Sequence, residues 1–473
     1  MLVAREQEVQ TLKSALQDEY SQFIAVYGRR RVGKTFLVRE SFGYEFAFQH
    51  AGLAKGSLHD QLFAFSESLR DAGLSGFEQP TSWLEAFSLL KELIRGVPEG
   101  KKVVFIDELS WIDTPKGGLI TALENFWNGW ASARKDIVLI VCASATSWML
   151  DKVVHNKGGL HNRLTKQIHL RPFTLHECEQ MLVSKGIEMN RHQALECYMV
   201  MGGVPYYWSL LERGKSLAQN VDSIFFAKDA PLGDEFGYLY ASLFKRPEDH
   251  LAIVSALAGH KAGMTREELI AATGLGDSGT LSKRLGELES CDFVRRYHAY
   301  GKRERGALYQ LMDNYTLFYY KFLERGVNDE SFWEHSADSP SRTAWCGLAF
   351  ERVCLQHVPQ IKRALGISGV LTDVSAWSCR ADEERGVNGS QIDLVIARRD
   401  HVINLCEMKF SRDDYALTKG TEESLRHMAN DFRTLTKTRD ALHVTLVTTY
   451  GLKANAHSGT VQSVVTSDDL FAS

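Results

Sequence analysis

Residues 28–35 read GRRRVGKT, and they follow directly on the apolar run Phe23–Tyr27. This is the phosphate-loop pattern G-x-x-x-x-G-K-[ST], placed between a buried strand and a helix expected over Phe36–Ser41. Gly28 and Gly33 let backbone N–H groups turn inward around phosphate oxygens, with Arg29, Arg30, Arg31 and Val32 completing the loop. Lys34 adds a point charge, and the Thr35 hydroxyl suits Mg²⁺. The expected ligand is a nucleoside triphosphate, ATP with Mg²⁺.

The second half of such a site is KKVVFIDEL. Its strand, Lys102–Asp107, ends in Asp107 and Glu108, at the strand end where open α/β sheets bind ligands. Asp107 is placed to hold Mg²⁺ and Glu108 to polarise the water that attacks the γ-phosphate. A third strand, Asp136–Ala143, ends in Ser144 and Thr146, where a polar side chain can sense the γ-phosphate. Arg163 is a candidate transition-state cation. The apolar density of these strands suits a parallel sheet buried on both faces.

At 473 residues the chain has room for about three domains of roughly 150 residues. A net charge of −4 argues against a uniformly basic surface, though not against local basic patches. No apolar run reaches membrane-spanning length, and the first residues read as an amphipathic helix rather than a secretory signal. The eight cysteines form no C-x-x-C pair, so reduced, buried thiols in a cytoplasmic protein are expected.

Five stretches follow from the pattern: an α/β nucleotide core over 1–173, a helical segment over 174–240, a small domain over 241–325, a polar linker over 326–345 and an α/β tail over 346–473. The third contains three helices and two strands around a charged turn. Between 295 and 305 it carries five basic residues, Arg295, Arg296, Lys302, Arg303 and Arg305, against one acidic, Glu304.

The tail begins with a helix over Trp345–Gln356 and continues into strands Gln391–Arg398 and Val402–Phe410. Glu407 and Lys409, two apart on one strand, share a face. A paired strand brings Asp393 alongside, and Glu351 on the upstream helix is a fourth member. Carboxylates among apolar neighbours need a cation or fixed ion pairs. Asp393 and Glu407, with Glu351, are candidate ligands of Mg²⁺ or Mn²⁺, and Lys409 a candidate for orienting water.

GRRRVGKT, FIDEL, the serine-ended strand and GGVPYYW at 202–208 together resemble the bacterial and archaeal ATPases of the STAND/AAA+ superfamily. That resemblance implies that Gly203, Val204 and Pro205 close over the nucleotide base. Residues 249–312 resemble a winged helix, which implies a recognition helix over Gly279–Ser290, with Lys283 and Arg284, and a wing carrying the five basic residues as DNA contacts. The Glu…Asp…Glu-x-Lys order resembles the PD-(D/E)xK nuclease superfamily, with Ile392 where the family name has proline. The whole implies an ATP-regulated, metal-dependent DNA nuclease acting as a homo-oligomer, in genome defence or mobile-element control. A nucleotide switch with a non-cutting tail, and a DNA-binding regulator, fit the same residues.

Overall fold

The computed structural model describes residues 2–244, 246–302 and 306–473. The chain divides into two compact units, residues 1–171 with 242–245, and residues 172–241 with 246–473.

The first unit is built on five parallel strands, β1 (Gln22–Tyr27), β2 (Phe48–Ala51), β3 (Lys102–Asp107), β4 (Ile137–Ala143) and β5 (Lys166–His169), in the order β2-β3-β4-β1-β5. Alternate residues of the central strands enter opposite cores. Phe23, Ala25, Val104, Ile106 and Leu139 pack with the helices Leu58–Asp71, Trp83–Gly96 and Leu119–Gly129. Ile24, Val26, Val103, Phe105 and Ile140 pack with Leu37 and Val38 of the helix Lys34–Ser41. With both faces covered, these strands need an apolar residue at nearly every position. Because β4 lies between β1 and β3, the ends of all three meet at one edge of the sheet.

The second unit opens with the helices Leu175–Lys185 and Arg191–Met201, each started by a reciprocal capping box (Thr174 with Glu177, Asn190 with Gln193). Pro205 occupies the first turn of the short helix Pro205–Ser209. Three helices follow, Pro247–Ala258, Arg266–Thr273 and Gly279–Ser290. They pack with an antiparallel sheet of β6 (Met264–Thr265), β7 (Val294–Tyr297) and β8 (Leu308–Leu311), ordered β6-β8-β7.

The stretch expected as a linker is folded. Trp333, on the turn Phe332–His335, is 1% exposed and packs edge-on against Phe318, Phe322 and Trp345. The Asp222 carboxylate accepts from the Trp333 and Glu334 amides at 2.7 and 3.1 Å. Pro340 starts a helix rather than a loop: it stands in the first turn of Pro340–Gln356, capped by Ser339.

The tail sheet is mixed. Its strands β9 (Thr372–Cys379), β10 (Ser390–Arg398), β11 (Val402–Lys409), β12 (Ala441–Thr448) and β13 (Ser463–Thr466) run in the order β13-β12-β11-β10-β9. Strands β9 to β11 form an antiparallel meander, after which β12 and β13 add in parallel. The helix Lys419–Thr436 covers one face through Leu425, Met428 and Phe432. All eight cysteines are free, and all but Cys379 are buried. Among the described residues no helix is long and apolar enough to cross a membrane.

If the packed turn anchors the second unit, Trp333→Ala should destabilise it by about 3–5 kcal/mol, the usual cost of removing a buried large aromatic. The urea midpoint of that unit's transition measures this. A change under about 0.5 kcal/mol, ordinary for a surface site, would return the segment to a linker.

Candidate active sites

The phosphate loop is held by sterics at its first glycine. Gly28 has φ 151°, and a Cβ there would stand 2.1 Å from the Leu170 carbonyl oxygen, so only glycine fits. Gly33, at φ 90°, turns the chain into the helix Lys34–Ser41. Val32 points into the core beside Leu37, leaving the loop's polar backbone as the ligand-facing surface. Arg29 is buried, and Arg30 and Arg31 are half-buried. The Lys34 ammonium, also buried, donates to the carbonyls of Gly28 and Arg29 at 2.9 and 3.0 Å.

Across the strand ends, Thr35 Oγ1 donates to Asp107 Oδ2 at 2.6 Å. A hydroxyl and a carboxylate oxygen in contact are the oxygen set a hard cation such as Mg²⁺ takes, so these residues fit that ion. Glu108 follows with φ 48°, a left-handed conformation that costs energy in a non-glycine residue. Its carboxylate accepts from the Ser144 hydroxyl at 2.5 Å and the Ser144 amide at 3.2 Å. The structure therefore brings Lys34, Thr35, Asp107, Glu108 and Ser144 to one sheet edge, with Ser144 orienting Glu108. Thr146 is fully buried, and Arg163 is exposed. Pro205 belongs to the second unit.

The second constellation lies at the tail. Glu351 is 9% exposed on the helix Pro340–Gln356, and its Oε2 is buried without a hydrogen-bond partner. Asp393 of β10 and Glu407 of β11 lie one residue beyond the last paired residues, Leu394↔Cys406, where β10 also shifts register against β9 between Ile392 and Val395. Lys261, from the turn after the helix Pro247–Ala258, reaches both carboxylates: its Nζ is 2.7 Å from Glu351 Oε1 and 3.2 Å from Asp393 Oδ2. Gln391 Nε2 donates to Asp393 Oδ1 at 2.6 Å. Burial, then the neighbouring Asp393, push the Glu351 carboxyl up to about 7, against the pull of Lys261. Burial also opposes charge on Asp393, but Lys261 and Gln391 outweigh it and hold that carboxyl below its ordinary range.

Glu407 and Lys409 form their own pair at 2.6 Å, and Glu407 keeps the half-buried Lys409 ammonium above its usual pKa despite burial. Between Glu351 and Asp393 the Lys261 ammonium supplies the positive charge that the two carboxyls share. Glu407 faces Lys409, and among the described residues no three His, Cys, Asp or Glu side chains converge at ligand spacing.

The expected DNA contacts separate by orientation. Successive strand residues point to opposite faces. Arg296 is exposed, while Arg295 turns inward, donates to Gln310 Oε1 at 2.6 Å and lies 4.5 Å from the Tyr297 ring; burial lowers its pKa to about 10. Arg284 pairs with Asp249 and Glu287 at 3.2 and 3.0 Å. Both arginines are engaged within the fold, which narrows the basic surface to Lys283, Arg296 and Lys302, all exposed. Arg303 and Arg305 lie outside the described residues. Sequence reasoning missed Lys261 and Arg352, since neither stands in a motif.

Residues 2–211 match the family of ATPase domains found predominantly in Archaea. An uncharacterised protein of Methanocaldococcus jannaschii is 22% identical over 390 residues, which span 81% of this chain and 83% of that relative. Among solved structures, the Walker-type ATPase of Pyrococcus abyssi aligns with a TM-score of 0.48 at 15% identity, over 68% of this chain and 96% of its own. The ORC2 protein of Aeropyrum pernix aligns with a TM-score of 0.41 at 14% identity, over 71% and 96%. The match over residues 2–211 and the phosphate-loop geometry together support an ATP-binding, P-loop ATPase domain in this part of the chain.

Lys34→Ala and Glu108→Gln should separate binding from turnover. The first removes the buried ammonium and should weaken ATP binding by about a hundredfold or more. The second keeps the shape but loses the carboxylate, so ATP should bind while hydrolysis falls by roughly 10²-fold or more. Calorimetric ATP binding and phosphate release measure the two. Wild-type turnover in Glu108→Gln would remove Glu108 from its role.

Proposed function

We propose that the ATPase domain regulates a metal-dependent DNA nuclease formed by the tail. The observation that carries this reading is the antiparallel meander β9–β11, which carries Asp393 and Glu407 on neighbouring strands, with Glu351 of the helix Pro340–Gln356 joined to Asp393 through Lys261. That topology and residue order support assigning residues 346–473 to the restriction-endonuclease-like group. The three helices and the β6-β8-β7 sheet support a winged helix.

In the nucleotide site, Lys34 neutralises developing phosphate charge, and the Glu108 carboxylate, once released by Ser144, accepts a hydrogen bond from the attacking water and so orients and polarises it. Mg²⁺, held by Thr35 and Asp107, supplies further charge neutralisation when bound. Pro205 and its neighbours serve as the nucleotide-sensing lid.

In the tail, Glu351, Asp393 and Glu407 would be the residues to hold a divalent cation, which would supply an activated water. Lys409 has no acceptor, so it orients that water or balances charge at the phosphate rather than ligating. Lys283, Arg296 and Lys302 position the DNA backbone, with Arg303 and Arg305 as further candidates. Homo-oligomerisation, a cytoplasmic setting and a part in genome defence or mobile-element control belong to the same proposal.

A second reading, a nucleotide switch whose tail binds without cutting, is favoured by Lys261 standing between the carboxylates and by the lack of a three-ligand cluster among the described residues.

Nicking of supercoiled plasmid with Mn²⁺ separates the two. The nuclease reading expects cleavage by the wild type and a loss of about 10²-fold or more in Asp393→Asn. Equal cleavage by both proteins, or by neither, would favour the switch.

For the winged helix, Arg296→Ala with Lys302→Ala should weaken binding to DNA of any sequence. Each lost phosphate contact should lower the slope of log K against log salt by about 0.9. An unchanged slope would make this module a packing element.

A further inference from the structure

Lys261 holds a position that its backbone does not leave to chance. It lies in the turn closed by Gly263 N–H to His260 O, at the end of the helix Pro247–Ala258. Its carbonyl accepts two hydrogen bonds, from Gln310 Nε2 and from Arg352 Nη2, both at 2.6 Å. Gln310 is on β8 and is itself fixed by Arg295, while Arg352 is 5% exposed on the same helix as Glu351. The turn is thereby clamped from the small β6-β8-β7 module and from the tail together.

A second contact joins these parts. Tyr300 N–H donates to Ala376 O of β9 at 2.7 Å, and the Tyr300 ring packs 4.9 Å from that of Phe432. The module is docked on the tail by its strand-connecting loop as well as by Lys261.

We propose that Lys261 is an inhibitory brace: its ammonium takes the cation position between Glu351 and Asp393, and it must withdraw before a divalent cation can load. This rests on reading Glu351 and Asp393 as cation ligands. The physical case is competition for the same oxygens. An ammonium satisfies them at hydrogen-bond distance, 2.7 and 3.2 Å here. Mg²⁺ or Mn²⁺ would need them at about 2.1 Å, with a positive charge still beside it. An ammonium gives three donors and cannot share a carboxylate oxygen with a close divalent ion without strong repulsion.

Glu351 and Asp393 also meet each other, a buried carboxyl pair that shares the single positive charge of Lys261. The side chain also has somewhere to go. A cavity of about 350 Å³ is bordered by Lys261, Tyr320, Lys321, Trp345 and Arg352. Lys261 is 39% exposed, so phosphate arriving with DNA can compete for its ammonium.

The test is Mn²⁺ binding to the full-length protein, followed by electron paramagnetic resonance, in wild type, Lys261→Gln, Lys261→Arg and Asp393→Asn. Binding that Asp393→Asn abolishes is the tail's. The brace expects Lys261→Gln to bind about tenfold more tightly than wild type, the effect of removing one competing, partly screened ion pair. Lys261→Arg, which keeps the charge, should stay close to wild type. Asp393-dependent binding of equal strength in wild type and Lys261→Gln would overturn the brace and leave the cation reading standing. No Asp393-dependent binding in any protein would overturn both. Should Lys261→Gln fail to fold by circular dichroism, acetylation of Lys261 in the wild type decides. Mn²⁺ should raise its labelling severalfold by mass spectrometry, and unchanged labelling would overturn the brace.

Discussion

A carboxylate set against a buried sheet must meet positive charge or hydrogen-bond donors, because burial alone makes its ionised form expensive. Both constellations in this chain are solutions to that constraint. At the end of β3, Asp107 takes the Thr35 hydroxyl and Glu108 takes two donors from Ser144. Within β10, Asp393 takes Lys261 and Gln391. In each case the partner is a group that a bound cation or phosphate would displace, so the bonds that stabilise the fold are also those that chemistry must exchange.

The two sites differ in who supplies the partner. In the ATPase unit, the donors come from the same sheet edge, Ser144 after the neighbouring β4 and Thr35 after β1, one strand further. Exchange there is local, a matter of side-chain rotation at Thr35 and Ser144. In the tail, the partner comes from a turn more than a hundred residues upstream of Asp393, clamped through Gln310 and Arg352. Under the proposed brace, exchange there would require the clamped turn to shift. Partly buried charge pairs of this kind serve specificity and switching better than stability.

How far these features were legible depended on their range. Strands β1, β3 and β4 read directly from sequence because both of their faces are buried, which forces continuous apolar runs. The phosphate loop was legible because glycine at 28 and a lysine at 34 answer to local geometry. Strand β9 was not, since most of its residues are partly or fully exposed and carry no clean alternation. The segment around Trp333 read as a linker because its polar composition hides one tryptophan whose partners, Phe318, Phe322 and Trp345, lie before and after it. Arg295 read as a surface cation because a row of basic residues looks uniform until strand alternation sorts it. Lys261 left no signal at all: its role is set by two carboxylates on other elements, and no spacing in one sequence encodes such a meeting.

The proposed role of Lys261, guarding a cation site between Glu351 and Asp393, is open to a crystallographic test. Anomalous difference density from crystals of the full chain grown with Mn²⁺ tests it most directly. The account expects a peak within about 2.4 Å of oxygens from both Glu351 and Asp393, with the Lys261 ammonium moved away from them. Crystals that bind Mn²⁺ elsewhere while Lys261 still bridges the two carboxylates, with no peak between them, would contradict it.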